Sequence, residues 1–278
     1  MNLRAARRAV ALGVALAAAV VRYWILRARG PLTMEQRAVW LQSMAHGVLN
    51  ALGIHCRIYG EPPVRGLVVA NHLSYLDAAI FSAAVPCFFV AKFEIGRWPF
   101  FGKAARVSGS IFVDRSSRAG AVAAAHQMRD RLASHIPIVL FPEGTSTDGS
   151  QVLRFHSTLF EPAVAVGAPV TAAAVRYVFE DGRPERDLCW FGDDGFLPHI
   201  WKALGAKGFF AEVRFGEPHV YPDRRSAAKS THEEISALRE FHALEGMMIG
   251  EHCSTDTRHK EGAPPPKAVP TPQPQEHL

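Results

Sequence analysis

The sequence predicts an α/β fold in which a mostly parallel sheet is flanked by helices on both faces, preceded by an N-terminal two-helix element. Between residues 56 and 177, short apolar runs of strand length alternate with segments of helical periodicity, the order that produces parallel sheets covered by helices. Before this region lie an uncharged apolar run and then a second helical pattern. The alternation predicts the sheet, and the earlier segments predict the helical element.

The first segment begins with basic residues and continues with an uncharged run from 9 to 21. These thirteen residues are too few to span a bilayer core, which takes about 20 in a helix. Arg22 and Arg27 flank Tyr23 and Trp24, a mixture typical of the lipid headgroup region. We predict a monotopic or peripheral anchor on the cytoplasmic face of the cell membrane. A cleaved signal peptide is the alternative, because a basic start, an apolar centre and small residues also fit that pattern.

A second helix is predicted to begin near Thr33, because Gln36 three residues later completes the pattern of a capping box. Gly53 is a suitable residue to end it. Its apolar residues recur at helical spacing: they are Trp40, Leu41, Met44, Val48 and Leu52. We predict that residues 1–54 form a membrane-associating element, and that much of this apolar stripe packs on the main domain.

The main domain is predicted to cover residues 55–253. Strands are expected at 57–59, 66–70, 87–91, 111–113, 136–141, 170–177 and 209–215, and helices at 76–84, 100–107, 119–133, 159–166 and 227–248. Residues 254–278 are rich in proline and poor in apolar side chains. We predict that this tail is disordered.

Composition narrows the classes of partner and site. Lys and Arg number 31 against 26 Asp and Glu, a formal charge of +5 that favours anionic partners. The basic residues are scattered without an aromatic stacking module, so no nucleic-acid partner is predicted. The four cysteines are far apart, and the 13 histidines show no metal-ligand spacing. We therefore predict neither disulfides nor a metal site, and the cysteine pattern fits a reducing compartment.

The first polar motif contains Asn71, His72, Ser74 and Asp77, directly after the strand expected at 66–70. Ligands and catalytic groups of α/β sheets collect at such strand ends. A histidine can take a proton from a hydroxyl, and an aspartate five residues later can fix its tautomer. On spacing alone, a surface or capping pair remains the alternative interpretation.

The second motif is the segment 141–149, which follows the strand expected at 136–141 and includes Glu143, Gly144 and Thr145. Its glycines and hydroxyls could present backbone amides to an anion. Taken alone, the segment could equally be an ordinary polar turn.

Together, these blocks resemble the glycerolipid acyltransferase family that includes 1-acyl-sn-glycerol-3-phosphate acyltransferases. The family shows Asn-His-x4-Asp, matched by Asn71, His72 and Asp77, and Phe-Pro-Glu-Gly-Thr, matched by residues 141–145. Further matches in the same order are Lys92-Phe93-Glu94, Trp98-Pro99, Gly102, and the Gly109, Phe112 and Arg115 of a Gly-x-x-Phe-x-x-Arg element. The resemblance covers residues 60–177.

The resemblance implies an O-acyltransferase with no bound cofactor. His72 would be the general base on the acceptor hydroxyl, and Asp77 would orient it. The hydroxyl would attack the thioester of acyl-CoA or acyl-carrier protein directly. Asn71 and Ser74 would support the site, since no second base is visible that could make Ser74 a nucleophile.

The resemblance also implies an acceptor site formed by Arg115, Glu143, Gly144 and Thr145, where the Arg115 guanidinium would bind phosphate. Lys92 and Arg106 are weaker candidates. The expected acceptor is the membrane lipid 1-acyl-sn-glycerol-3-phosphate, giving phosphatidic acid in phospholipid biosynthesis.

Two departures from the family pattern leave other acceptors open. Ser146 and Thr147 stand where phosphatidate-forming members often carry Arg-Ser, and the late block at 168–172 lacks its second proline. Lyso-ornithine lipid or another lysolipid therefore remains an alternative acceptor. A non-catalytic membrane scaffold is a further alternative, against which the intact His72 and Asp77 pair speaks.

Overall fold

Seven strands form one sheet in the computed structural model, which describes residues 2–98, 101–114 and 117–240. The strands are β1 Ile54–Tyr59, β2 Leu67–Ala70, β3 Phe88–Lys92, β4 Ile111–Val113, β5 Ile138–Leu140, β6 Val170–Val178 and β7 Phe209–His219. Their order is β1-β7-β6-β2-β5-β3-β4. Within the described ranges every neighbouring pair is parallel except β6 and β7. The predicted mostly parallel sheet is confirmed.

The helices are α1 Leu3–Ala28, α2 Met34–Leu52, α3 Leu76–Ala84, α4 Phe101–Ser108, α5 Arg118–Leu132, α6 Glu161–Ala165, α7 Phe196–Gly205 and α8 Arg224–Glu240. The helix predicted at 159–166 is instead a 3₁₀ turn, Ser157–Phe160, followed by the short α6. The last predicted helix starts earlier, at Arg224. Its predicted end and the tail 254–278 lie outside the described residues. Helix α7 was not predicted.

Helices cover both faces of the sheet, as predicted. Side chains of α1, α2, α3 and α7 share one hydrophobic core with the sheet, and those of α5, α6 and α8 share the other. In β2, Val68 and Ala70 belong to the first core, and Leu67 and Val69 to the second. Because side chains alternate along a strand, β2 is buried on both faces, and the loop that follows it is firmly supported.

Helix α2 has the predicted boundaries. Thr33 and Gln36 form both hydrogen bonds of the capping box, at 3.2 and 3.0 Å. Gly53 ends the helix in a left-handed conformation, with φ of +69°. Trp40 and Leu49 are buried in the same core as the strands, so this helix contributes to the main domain as well as to the N-terminal element.

Helix α1 is longer than the sequence argument assumed. It has 26 residues, because the flanking arginines continue the helix instead of ending it. Its most apolar 18-residue window has a mean hydropathy of 2.0, and the helix is long and apolar enough to cross a membrane. The prediction that this segment is too short to span was therefore wrong for the helix, since it counted only the uncharged run.

Both halves of α1 lie against the rest of the protein. Near its start, Arg8 Nη1 donates a hydrogen bond of 2.6 Å to the carbonyl oxygen of Ala206, directly after α7. Farther along, the carbonyl oxygen of Ala19 accepts one of 2.9 Å from Trp40 Nε1 on α2. This arrangement places α1 along the surface of the domain.

Candidate active site

The loop after β2 is fixed by Asn71, whose buried side chain makes two hydrogen bonds to the backbone of Val175. Its Nδ2 donates to the carbonyl oxygen of Val175 at 3.1 Å, and its Oδ1 accepts from the Val175 amide at 2.8 Å. Both contacts reach β6, the neighbour of β2. Asn71 therefore holds the start of the motif at the carboxyl end of the sheet.

His72 and Asp77 form a hydrogen-bonded pair at this edge. His72 Nδ1 lies 2.9 Å from Asp77 Oδ2, and the side-chain exposures are 21% and 0%. The imidazole also stacks on the ring of Phe141, with centroids 4.3 Å apart. Packing against Phe141 and bonding to Asp77 thus fix the orientation of the ring.

Backbone amides establish the proton positions of the pair. Asp77 Oδ2 accepts hydrogen bonds from the amides of Leu73 and Ser74, at 2.6 and 3.0 Å. Asp77 also lies in the first turn of α3, where the helix dipole favours a carboxylate. An ionised Asp77 accepts the proton of His72 Nδ1, so His72 Nε2 keeps a lone pair available to a reactant.

Tyr177 completes the surroundings of Asp77, although sequence reasoning did not identify it. Its hydroxyl donates to Asp77 Oδ1, and both side chains are buried. Burial and then the charge of Asp77 raise the pKa of Tyr177 well above its ordinary value, so the phenol remains a donor. No local pattern links these residues, which are 100 positions apart.

Ser74 supports the same turn. It is fully buried, and its hydroxyl oxygen accepts a hydrogen bond of 3.1 Å from the amide of Leu76 at the start of α3. This contact fixes the turn between Ser74 and α3, and the supporting role of Ser74 stays a prediction.

Glu143 links the two motifs. One of its carboxylate oxygens accepts from the amide of His72 at 2.8 Å, and the other accepts from that of Leu153 at 2.9 Å. Burial raises the pKa of Glu143, and these two hydrogen bonds oppose that shift. The sequence suggested an acceptor-binding role, whereas in the structure both oxygens are engaged by the backbone.

The rest of the second motif also closes around His72. The amide of Thr147 donates to the His72 carbonyl oxygen at 2.9 Å, and the hydroxyl of Ser146 donates to the carbonyl oxygen of Trp190. Gly144 adopts a left-handed φ of +74°, which lets the chain turn before the exposed Thr145. The two polar motifs therefore meet at one edge of the sheet.

The basic residues that the sequence suggests for acceptor binding lie in different surroundings. Lys92 is exposed at the end of β3. Arg106 donates to the carbonyl oxygen of Gly96 and lies over the ring of Phe112, 5.5 Å from its centroid. These contacts hold the segment after β3 beside β4. Arg115 lies outside the described residues.

The segment 190–199, which the sequence analysis does not single out, also borders the site. The amide of Trp190 donates to the carbonyl oxygen of Leu73 at 2.8 Å. Tyr75, in the first motif, bonds through its hydroxyl to His199 Nδ1 on α7 at 2.9 Å. Its ring lies 5.6 Å from Trp190 and 5.0 Å from Phe196, centroid to centroid. Aromatic side chains therefore pack around Tyr75, three residues after His72.

This geometry can perform base catalysis on a hydroxyl. It contains an oriented imidazole with one free nitrogen, a buried carboxylate behind it and a partly open front. Within the parts of the chain that the structure describes, no group of three or more His, Cys, Asp or Glu side chains is placed to hold a metal ion.

Comparison with known proteins gives a consistent picture. Residues 57–176 match the family model described as Acyltransferase. The chain is 36% identical over 186 residues to the lyso-ornithine lipid O-acyltransferase of Rhodobacter capsulatus, covering 64% of this chain and 67% of that protein. It is 34% identical over 218 residues to the protein of the same name from Rhizobium meliloti, with 72% of each covered.

A second group of relatives carries a different name. The 1-acyl-sn-glycerol-3-phosphate acyltransferase of Neisseria meningitidis is 34% identical over 211 residues, covering 73% of this chain and 82% of that one. The crystal structure of the 1-acyl-sn-glycerophosphate acyltransferase PlsC from Thermotoga maritima has a TM-score of 0.64 at 18% identity, covering 90% of this chain and 97% of the other. That similarity shows the fold.

Proposed function

Because the chain belongs to the acyltransferase family, we propose that it transfers a fatty acyl group from a thioester, acyl-CoA or acyl-carrier protein, to the hydroxyl of a lysolipid. The observation that carries this proposal is the pair formed by His72 and Asp77, 2.9 Å apart. It leaves a single imidazole nitrogen available at the carboxyl edge of the sheet.

In the proposed reaction, His72 Nε2 takes the proton of the acceptor hydroxyl while the hydroxyl oxygen attacks the thioester carbonyl carbon. The new carbon–oxygen bond forms a tetrahedral intermediate, which collapses by breaking the carbon–sulfur bond. The imidazolium then returns its proton to the leaving thiolate. Asp77 stabilises the imidazolium between these steps. No group on the protein needs to become acylated.

For the acceptor, we propose lyso-ornithine lipid first and 1-acyl-sn-glycerol-3-phosphate second. Ser146 stands at a position where phosphatidate-forming members of the family often have arginine, and its hydroxyl is used on the Trp190 carbonyl oxygen. The relatives from Rhodobacter capsulatus and Rhizobium meliloti, which are 36% and 34% identical to this chain, are named for the first acceptor. Arg115, which could bind a phosphate, and the Neisseria relative favour the second.

Mass spectrometry of products can separate these acceptors. The purified full chain is supplied with one acyl-CoA and, in separate reactions, with lyso-ornithine lipid, 1-acyl-sn-glycerol-3-phosphate and lysophosphatidylethanolamine. We expect acyl transfer to the first at the highest kcat/KM. Higher turnover of the phosphate ester would reverse the order of acceptors. Absence of transfer with every lysolipid, using both acyl-CoA and acyl-carrier protein, would contradict the proposed function.

We also propose that the enzyme works at the cytoplasmic face of the membrane, held there by α1 and α2. One observation supports membrane attachment: α1 is apolar and largely exposed, with 6% of its most apolar window buried. The cytoplasmic face follows from the proposed thioester donors, which are cytoplasmic compounds. Fractionation of cells that produce the full chain should recover it with membranes. Recovery of a mature protein that lacks the N-terminal residues would instead support a cleaved signal peptide.

A further inference from the structure

Helix α7 presents two large apolar side chains to solvent. Leu197 and Trp201 are 74% and 49% exposed, and their spacing of four residues places them on the same side of the helix. On its other side, α7 buries His199 and Ala203 in the protein. The helix is therefore amphipathic, with its apolar character continuing onto the exposed side.

This exposed surface adjoins α1. The side chain of Arg8 reaches the carbonyl oxygens of Leu204 and Ala206, at 3.4 and 2.6 Å, so the start of α1 is fastened to the end of α7. Helix α1 carries exposed apolar side chains along its length: Leu3, Val10, Val14, Val21, Trp24 and Ile25. The apolar surface of α7 thus extends that of α1.

Helix α7 also contacts the candidate active site. His199 Nδ1 accepts from the Tyr75 hydroxyl at 2.9 Å, and Phe196 lies against the Tyr75 ring. Tyr75 directly precedes α3, which carries Asp77. Among the described residues, α7 therefore connects the site to α1.

We infer that α7 is a second lipid-contacting element, which inserts Leu197 and Trp201 into the interface of an anionic bilayer beside α1. The inference rests on the proposed function, because a lysolipid acceptor must reach the site from a membrane. The charge of the surroundings agrees, since Arg4, Arg7 and Lys202 are exposed on the two helices and basic residues attract anionic lipid. A tryptophan at the edge of an apolar surface suits the headgroup region.

Vesicle binding by the full chain tests the inference directly. Leu197→Glu and Trp201→Glu are compared with Val64→Glu and Val166→Glu, whose parent side chains are 75% and 46% exposed. Both controls lie just before β2 and β6, at the amino edge of the parallel strands. Each α7 variant no longer buries one large apolar side chain in the bilayer, so its affinity for phosphatidylglycerol-containing vesicles should fall about tenfold. Neither control should lose affinity.

Two further measurements separate apolar contact from other effects. Leu197→Gln and Trp201→Gln should also weaken binding, which shows that charge repulsion by glutamate is not the cause. In a Trp24→Phe background, brominated lipid should quench the remaining tryptophan fluorescence, and adding Trp201→Phe should remove most of that quenching. Thermal melting of each variant verifies that the fold is intact.

Unchanged vesicle affinity in the α7 variants, or quenching that survives Trp201→Phe, would overturn the inference. Retained vesicle affinity together with loss of self-association in the variants would identify a second copy of the chain as the occupant, and would also overturn it. The vesicles contain neither lysolipid nor thioester. The result is therefore independent of turnover, and a failure of acyl transfer would count against the proposed function alone.

Discussion

At the scale of single residues, the candidate site is a small set of side chains whose orientations are fixed by hydrogen bonds to their neighbours. Asp77 is fully buried and accepts hydrogen bonds from two backbone amides, His72 and Tyr177. These four donors occupy both carboxylate oxygens and fix the orientation of the side chain. His72 is left partly exposed, with one nitrogen available.

We expect His72→Ala to lower kcat by about 10²- to 10⁴-fold, the usual contribution of a general base. The fold should remain, because the side chain is partly exposed and the backbone contacts of residue 72 are kept. Asp77→Asn should also lower kcat, since it removes the charge that stabilises the imidazolium. Turnover and thermal melting are measured together, and near-wild-type turnover of His72→Ala would remove it from the mechanism.

Tyr177→Phe keeps the buried ring and removes only the hydroxyl that donates to Asp77. The carboxylate then shares less of its negative charge and holds a proton on the imidazole more firmly. We expect kcat to fall and the acid limb of the pH–rate profile to move to higher pH, with the KM of both substrates nearly unchanged. Loss of stability without movement of the acid limb would make Tyr177 a structural residue only.

The sequence predicts the part of the site that lies within continuous motifs. Asn71, His72 and Asp77 are close in the chain, and the structure brings them together at the predicted strand end. The contact of Tyr177 with Asp77 and the bond of His199 to Tyr75 join residues 100 and 124 positions apart. Such contacts depend on strand order and helix packing, which no local pattern encodes.

At the scale of elements, the sequence does not predict the direction and position of β7 or the existence of α7. The sequence predicts a strand at 209–215, but its apolar pattern does not reveal that β7 runs antiparallel to β6 and lies between β6 and β1. Helix α7 has a helical signal in the spacing of Phe196, Ile200 and Leu204, but the sequence analysis predicts no element there. Proline is tolerated in the first turn of a helix, where Pro198 lies.

The pH dependence of stability should report on α7. Burial lowers the pKa of His199 from its ordinary 6.5, while Asp194 opposes and Lys202 adds to the shift. Below pH 6.5 the unfolded chain takes up a proton that the folded chain resists, so acidification favours unfolding. Protonation of Nδ1 would also break the hydrogen bond from Tyr75.

We therefore expect wild-type protein to lose more thermal stability than His199→Gln between pH 7.5 and pH 5.5, on the order of 1 kcal/mol. The neutral variant lacks the titrating group but keeps polar atoms near Tyr75. Melting curves of both proteins across this range measure the difference. Parallel loss of stability in the two proteins would mean that His199 does not contribute.

At the scale of the whole molecule, the net charge of +5 matters through the positions of individual arginines. In α1, Arg8 donates to carbonyl oxygens after α7, and Arg22 Nη1 donates to Ser43 Oγ on α2 at 2.6 Å. Arg4, one helical turn before Arg8, and Arg7, directly before it, are both exposed. The sequence alone does not distinguish these arginines. The structure shows that some hold the helices together and others face solvent.

This division predicts different consequences for neighbouring substitutions. Arg4→Gln combined with Arg7→Gln should weaken binding to phosphatidylglycerol-containing vesicles at low salt and leave melting unchanged, since each exposed basic residue contributes about 1 kcal/mol near an anionic surface. High salt should abolish the difference from wild type, because it screens this attraction.

Arg8→Gln should instead lower the melting temperature, because its guanidinium joins α1 to the end of α7. Flotation at two salt concentrations and thermal melting measure both effects. Equal flotation of the double variant and wild type at low salt would show that the apolar surfaces of α1 and α7, and not these charges, provide the attachment.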